Sequence, residues 1–91
     1  MPTRNQCWFG DTKEYDTVRA TIGPDPQYPK TYDEWLQLAT KRVANLESGG
    51  WTINKVVVEP KEFIRFCDSK GLDRGVAALG LFVASKGRGL L

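Results

Sequence analysis

The stretch KVVVEPKEFIRFCDSKGLDRGVAALGLFVASKGRG, residues 55–89, decides much of how this chain can fold. It opens with β-branched residues, which favour a strand. Pro60 can begin a helix, because its missing N–H would have no helical partner there in any case. Gly71 can end that helix, and the apolar residues after it predict another. The stretch therefore predicts a strand, a short helix, a turn and a second helix.

Upstream of it lies the clearest helical pattern in the chain, residues 31–48. Thr31 and Glu34 have the spacing of a capping box, in which each side chain bonds to a free backbone N–H at the other position. Gly49-Gly50 supplies the stop. We expect the helix to pack against the following strand and to bury Trp35, Leu36, Val43 and Leu46. Trp8, Trp35 and Trp51 are all expected in the core, since a small domain needs its largest side chains inside.

The N-terminal part has the pattern of a β-hairpin over residues 1–23. Cys7-Trp8-Phe9 is a short apolar run, and residues 17–22 alternate apolar with polar side chains, which is the period of a half-buried strand. Residues 24–30 contain three prolines. Because proline lacks an N–H and restricts the residue before it, this segment predicts an ordered loop.

Together these patterns predict one α+β domain over residues 1–91, with the element order β-β-α-β-α-α. We expect about three strands in a mainly antiparallel sheet, with the helices packed on one face. Asp73 is expected to cap the last helix. The predicted parts are a hairpin over 1–23, a proline-rich loop over 24–30, a helix over 31–48, a strand over 51–58, and helices over 60–70 and 73–86.

Composition and charge bear on where the protein works. The net charge of +2 is too small to imply nucleic acid or anionic lipid by itself. The N-terminal sequence lacks the apolar region of a secretory signal, and the longest apolar run, residues 76–84, is about half the length of a membrane span. We expect a cytoplasmic protein without a membrane partner. Cys7 and Cys67 are then expected to be reduced, although one bridge between them stays open.

The side chains that usually carry catalysis are scarce. The chain has no histidine, the commonest general base and metal ligand. Pro24-Asp25 and Glu59-Pro60-Lys61 have the residue types of a nuclease signature, in which two acids hold Mg²⁺ and a lysine positions water. A complete helix separates the two halves, and Pro60 interrupts the strand that the signature needs. We therefore predict no catalytic, metal-binding or cofactor-binding residues, and no enzymatic activity.

From residue 52 to residue 88 the element order resembles that of the ribbon-helix-helix DNA-binding proteins. In that family a strand from each of two chains forms an antiparallel ribbon in the major groove. The segment GLDRGV, residues 71–76, is similar to the family's turn and second-helix start. The resemblance implies that Thr52, Asn54 and Val56 face the bases and that Lys70 and Arg74 lie near phosphate. A DNA-binding regulator is thus the alternative function.

The favoured function is protein binding, the usual work of so short a chain without catalytic residues. Gly80 lies within the predicted last helix, where it costs about 1 kcal/mol relative to alanine, so a packing reason is expected. With Gly75, Ala77, Ala78 and Ala84 it would let another backbone come close, either within the fold or from a second chain. We expect a small intracellular adaptor, inhibitor or regulator that binds a partner protein, as a monomer or a homodimer.

Overall fold

The computed structural model describes residues 2–89 of the chain and shows an α+β fold. Its order is β-α-α-β-α-α, so the predicted order, which began with a hairpin, is wrong. The last four elements lie within a few residues of their predicted positions. The elements are β1 (Thr3–Trp8), α1 (Thr12–Ile22), α2 (Tyr32–Ser48), β2 (Thr52–Val57), α3 (Pro60–Lys70) and α4 (Val76–Gly87).

Helix α1 stands where the second strand of the hairpin was predicted, and a local cap explains its start. The carboxylate of Asp11 accepts the N–H of Glu14 at 2.8 Å. Glu14 in turn accepts the N–H of Gly10 at 2.9 Å. Two backbone donors at the helix start are thus satisfied by side chains, as in a capping box.

The side chains of α1 fit a helix despite their strand-like alternation. Tyr15 and Val18, three residues apart, are both buried. Thr17 and Thr21 are β-branched, but each hydroxyl donates to the carbonyl four residues earlier at 2.9 Å. Those bonds satisfy the hydroxyls inside a helix. The cap and the buried face therefore outweigh the period-two pattern of residues 17–22.

The two strands are parallel, with Thr3 opposite Thr52 and Trp8 opposite Val57. Two helices lie between them in the chain, and such a crossover returns the second strand in the same direction as the first. Within residues 2–89 the sheet has these two strands. The predicted three-stranded, mainly antiparallel sheet is therefore wrong.

Helices pack on both faces of this sheet, rather than on one face as predicted. The ring of Trp35 on α2 meets that of Trp8 at 5.2 Å, edge to face. The end of α4 meets the opposite face, where Gly87 lies against the side chain of Asn5. Trp8 and Asn5 are three residues apart on one strand, and an odd spacing places side chains on opposite faces.

For α2, α3 and α4, the residues that cap the helices are those predicted from the sequence, with two differences. At the start of α2, Thr31 accepts the N–H of Glu34 at 3.2 Å, but the Glu34 carboxylate bonds to the Thr31 hydroxyl instead of to a backbone N–H. Helix α4 begins at Val76 with Gly75 as its N-cap, so Asp73 does not cap it. Gly71 ends α3 in the left-handed conformation, with φ of 65°. None of the helices within residues 2–89 has the length and apolar character needed to cross a membrane.

The core has two parts, one around Trp35 and the other around Phe82, between α3 and α4. Trp35, 3% exposed, lies 4.9 Å from Phe9 and 5.6 Å from Tyr15 by ring centroids. In the other part, Phe82 meets Phe63 at 5.7 Å and Phe66 at 5.5 Å. Of the side chains expected in the core, Trp35 and Val43 are buried, while Leu36, Leu46 and Trp8 are half-buried and Trp51 is 37% exposed.

Candidate functional site

The hydrogen bonds at the two ends of the sheet show which backbone groups the strands use. Thr52 N–H donates to the carbonyl of Pro2, and Val58 N–H donates to that of Trp8, both at 2.9 Å. Along a parallel ladder, successive residues direct their N–H and C=O groups to alternate edges. The residues of β1 whose backbone groups point away from β2 are therefore Thr3, Asn5 and Cys7.

This outer edge of β1 has little to bond with. No strand lies beyond it within residues 2–89. A side chain of the strand itself supplies one partner, because Gln6 Nε2 donates to the carbonyl of Cys7 at 3.3 Å. An open edge of this kind is able to pair with another chain.

The outer edge of β2 also has one carbonyl bonded by a side chain, but there the donor is charged. Lys86 Nζ, from α4, donates to the carbonyl of Val57 at 2.8 Å, and an ion pair of 2.6 Å with Glu62 holds it in place. Charge at a strand edge discourages further strand pairing.

Two cavities open along β1, with volumes of about 350 and 220 Å³. They share Gln6 and Arg42 as walls, so they are neighbours beside the strand. We call the two cavities together the β1 groove. It is bounded by Arg4 and Gln6 on β1, Leu38 and Arg42 on α2, and Gly80 and Val83 on α4.

The β1 groove is positively charged. Its walls include Arg4, Lys41 and Arg42, and no Asp or Glu lines either cavity. The ion pairs seen within residues 2–89 involve other cations. None of the three groove cations forms an ion pair within residues 2–89, and the Arg4 guanidinium also lies over the ring of Trp51, 5.9 Å from its centroid.

Gly80 has no close neighbour within residues 2–89. A Cβ placed on it would meet nothing within 4 Å, and the residue opens onto the smaller cavity. Of the two explanations for this glycine, a close approach within the fold is not seen in the described residues, and a close approach of a second chain stays a prediction. At the end of the same helix, a Cβ on Gly87 would lie 2.5 Å from the side chain of Asn5.

These two glycines predict opposite responses to alanine. Gly80→Ala should raise the free energy of unfolding by up to about 1 kcal/mol, because alanine is the better helix former. Gly87→Ala should lower it by about 1–2 kcal/mol, because the methyl group displaces Asn5 and breaks its 3.0 Å hydrogen bond with Asn54. Urea unfolding of both variants measures the difference. Equal effects would show that α4 does not end against β1 as described.

Cys7 and Tyr28 close one end of the smaller cavity. Burial raises the pKa of Cys7 from 9.0 to about 12, and it also raises the pKa of Tyr28 well above its usual range. Both groups are therefore protonated at neutral pH. Cys7 and Cys67 are free thiols in the structure, and Cys67 is fully buried.

The raised pKa of Cys7 predicts slow alkylation. Three pH units separate 9.0 from about 12, so at pH 8 the thiolate fraction should be about a thousandfold smaller than in the unfolded chain, and alkylation slower in proportion. The rate should rise tenfold with each pH unit towards 12. Iodoacetamide labelling followed by peptide mass spectrometry measures the alkylation rate of each cysteine separately. A folded-state rate at Cys7 within tenfold of the unfolded rate would contradict the prediction.

None of the residues proposed to contact DNA lines this groove. Thr52 and Asn54 are exposed on β2, and Asn54 Nδ2 donates to Asn5 Oδ1 at 3.0 Å. Val56, on the same face of the strand, is buried. Lys70 is exposed at the end of α3, and Arg74 is paired with Asp68 at 2.9 Å. The DNA-binding hypothesis for these residues stays a prediction.

The residues of the nuclease-like pattern lie in separate parts of the fold. Asp25 is in the loop between α1 and α2, where its carboxylate accepts the N–H of Gln27 at 2.8 Å. Glu59 directly precedes α3, and Lys61 is in its first turn. Across residues 2–89, no cluster of three or more His, Cys, Asp or Glu side chains has a geometry that could hold a metal ion.

Comparison with family models, curated proteins and solved structures finds no match to this chain. The resemblance of residues 52–88 to ribbon-helix-helix proteins thus rests on the strand-helix-helix order and the segment of residues 71–76. The function has to be inferred from the β1 groove and the residues that form it.

Proposed function

We propose that this protein acts by binding another protein at the β1 groove and performs no chemistry of its own. The observation that carries the proposal is the unpaired outer edge of β1, which faces an open groove. Strand edges with free N–H and C=O groups are a common site of protein recognition. The backbone groups provide affinity there, and the flanking side chains provide specificity.

Apolar surface beside the edge supports this proposal. Leu38 is 55% exposed and lines the larger cavity of the groove. Val83 lines the smaller cavity from α4. A groove that combines apolar walls with a few polar groups is typical of a binding site.

The side chains of the groove suit binding better than catalysis. Its titratable groups are arginines, a lysine, and the protonated Cys7 and Tyr28. None of these supplies a general base at neutral pH. The two free thiols fit a cytoplasmic location, where cysteines remain reduced.

A random-peptide display selection against the immobilised full chain tests the proposal. Peptides should be enriched over an uncoated surface and should shift the backbone amide signals of Asn5, Cys7 and Gly80 in ¹⁵N spectra. The double variant Lys70→Ala/Arg74→Ala, at two exposed residues that line neither cavity, is the matched control and should bind the peptides as the wild type does. Absence of enrichment would overturn the proposal. Submicromolar binding of duplex DNA that this double variant loses would favour the DNA-binding alternative instead.

A further inference from the structure

Resting on the proposed function, we infer that the groove takes an extended, acidic segment of the partner protein. The segment adds to the sheet as a strand beside β1. Its backbone bonds to the outward groups of Thr3 and Asn5, and its carboxylates lie beside Arg4 and Arg42. Neither the mode of binding nor the charge of the ligand follows from protein binding as such.

The extended backbone follows from the edge of β1. The outward residues Thr3 and Asn5 offer an N–H and a C=O each, at the spacing of a β-ladder. A peptide in extended conformation matches this spacing, whereas a helix does not, because its own backbone groups are already bonded. Tyr28 and Cys7 mark the end of the groove that the peptide would reach.

The close approach of a second backbone requires space, and Gly80 provides it. Gly80 faces the groove from α4, and a Cβ at this position would have nothing within 4 Å of it. A glycine inside a helix reduces stability by about 1 kcal/mol relative to alanine, and no contact in the described part of the chain explains it. The close approach of an incoming strand gives this glycine a role.

The acidic character of the segment follows from the charges around it. Arg4 and Arg42 line the smaller cavity, Lys41 lines the larger one, and no carboxylate lines either. Gln6 and Asn45 add amide groups that can donate hydrogen bonds. Arginine binds carboxylates through paired, charge-assisted hydrogen bonds, so acidic side chains are the complement of these walls.

Three synthetic pools of peptides, each about twelve residues long, test the inference, since strand addition needs only a short segment. Alternate positions hold Glu, Lys or Gln, and the remaining positions are randomised over apolar residues. Full-length protein on beads should retain the Glu pool ~tenfold or more above the Lys pool, and less of it as salt rises. Equal retention of all three pools would overturn the acidic ligand and leave the proposed function standing. Retention of no pool would overturn both.

Two pairs of variants locate the binding. Gly80→Leu should fill the groove without unfolding the protein, and Arg42→Glu should reverse its charge; each should weaken retention of the Glu pool ~tenfold or more. Ala20→Leu on the exposed side of α1 and Arg65→Glu on α3 are the matched controls, and both should retain the pool as the wild type does. Retention unchanged in Gly80→Leu and Arg42→Glu would place the binding elsewhere and overturn the inference.

Amide hydrogen exchange distinguishes strand addition from contact through side chains alone. The amides of Arg4 and Gln6 point towards β2 and should already be protected. Addition of the Glu pool should slow exchange at Thr3 and Asn5 by ~tenfold or more. Binding without this slowing would overturn the strand. If light scattering shows a dimer in the absence of peptide, the edge is instead assigned to a second copy of the chain. This result would also overturn the inference.

Discussion

Trp35→Ala is expected to lower the free energy of unfolding by about 3–5 kcal/mol. Trp35 is 3% exposed and touches four aromatic rings, two of them edge to face, so its removal leaves a cavity and breaks these ring contacts. The rings around it are Trp8, Phe9, Tyr15 and Tyr32. A loss of this size is a large share of the stability of a small domain. Chemical denaturation followed by circular dichroism measures it.

Trp51→Ala is the matched control for this prediction. Trp51 is 37% exposed, and the guanidinium of Arg4 lies over its ring, 5.9 Å from the centroid. Its removal should cost less than about 1 kcal/mol. If the two variants lost similar amounts, the aromatic cluster would not be the centre of the core.

Local signals predict the elements of the second half of the chain, because each one has its own start and stop. Gly71 adopts the left-handed conformation that a helix stop needs, and Pro60 begins α3 where its missing N–H is harmless. The error over residues 12–22 arises because the alternation of residues 17–22 is also the period of a strand. Asp11 and Glu14 have the same capping-box spacing as Thr31 and Glu34, and Tyr15 and Val18 have helical spacing. These two signals favour the helix that the structure shows.

The pairing of β1 with β2 could not be read from either strand. Cys7 lies opposite Val56, across a crossover of two helices, and nothing in a six-residue stretch specifies so distant a partner. The β1 groove could not be predicted from the sequence for the same reason. Arg4, Arg42 and Gly80 come from three separate elements, and only the folded chain brings them together. Gly80 was the one residue in the sequence that pointed to this site. A glycine lowers the stability of a helix, so its presence there implied that another backbone comes close.

The packing face of α4 was also hard to assign, because the helix is apolar almost all round. The structure buries Ala78, Leu79, Phe82 and Val83, and leaves Leu81 exposed. Val76 has the helical spacing of Leu79 and Val83 but is only half-buried. Contacts with α3 and with both strands determine the inward face, and a pattern without polar residues carries no information about it.

Phe82→Ala is therefore expected to have the second large effect, a loss of about 3–5 kcal/mol in the free energy of unfolding. Phe82 is fully buried between Phe63 and Phe66, and it joins α3 to α4. The adjacent Leu81 is 54% exposed, so Leu81→Ala should change stability by less than about 1 kcal/mol. Urea unfolding of the two variants compares neighbouring residues of one helix. If Leu81→Ala were the more damaging, α4 would present the opposite face to the core, and Gly80 would no longer open onto the β1 groove.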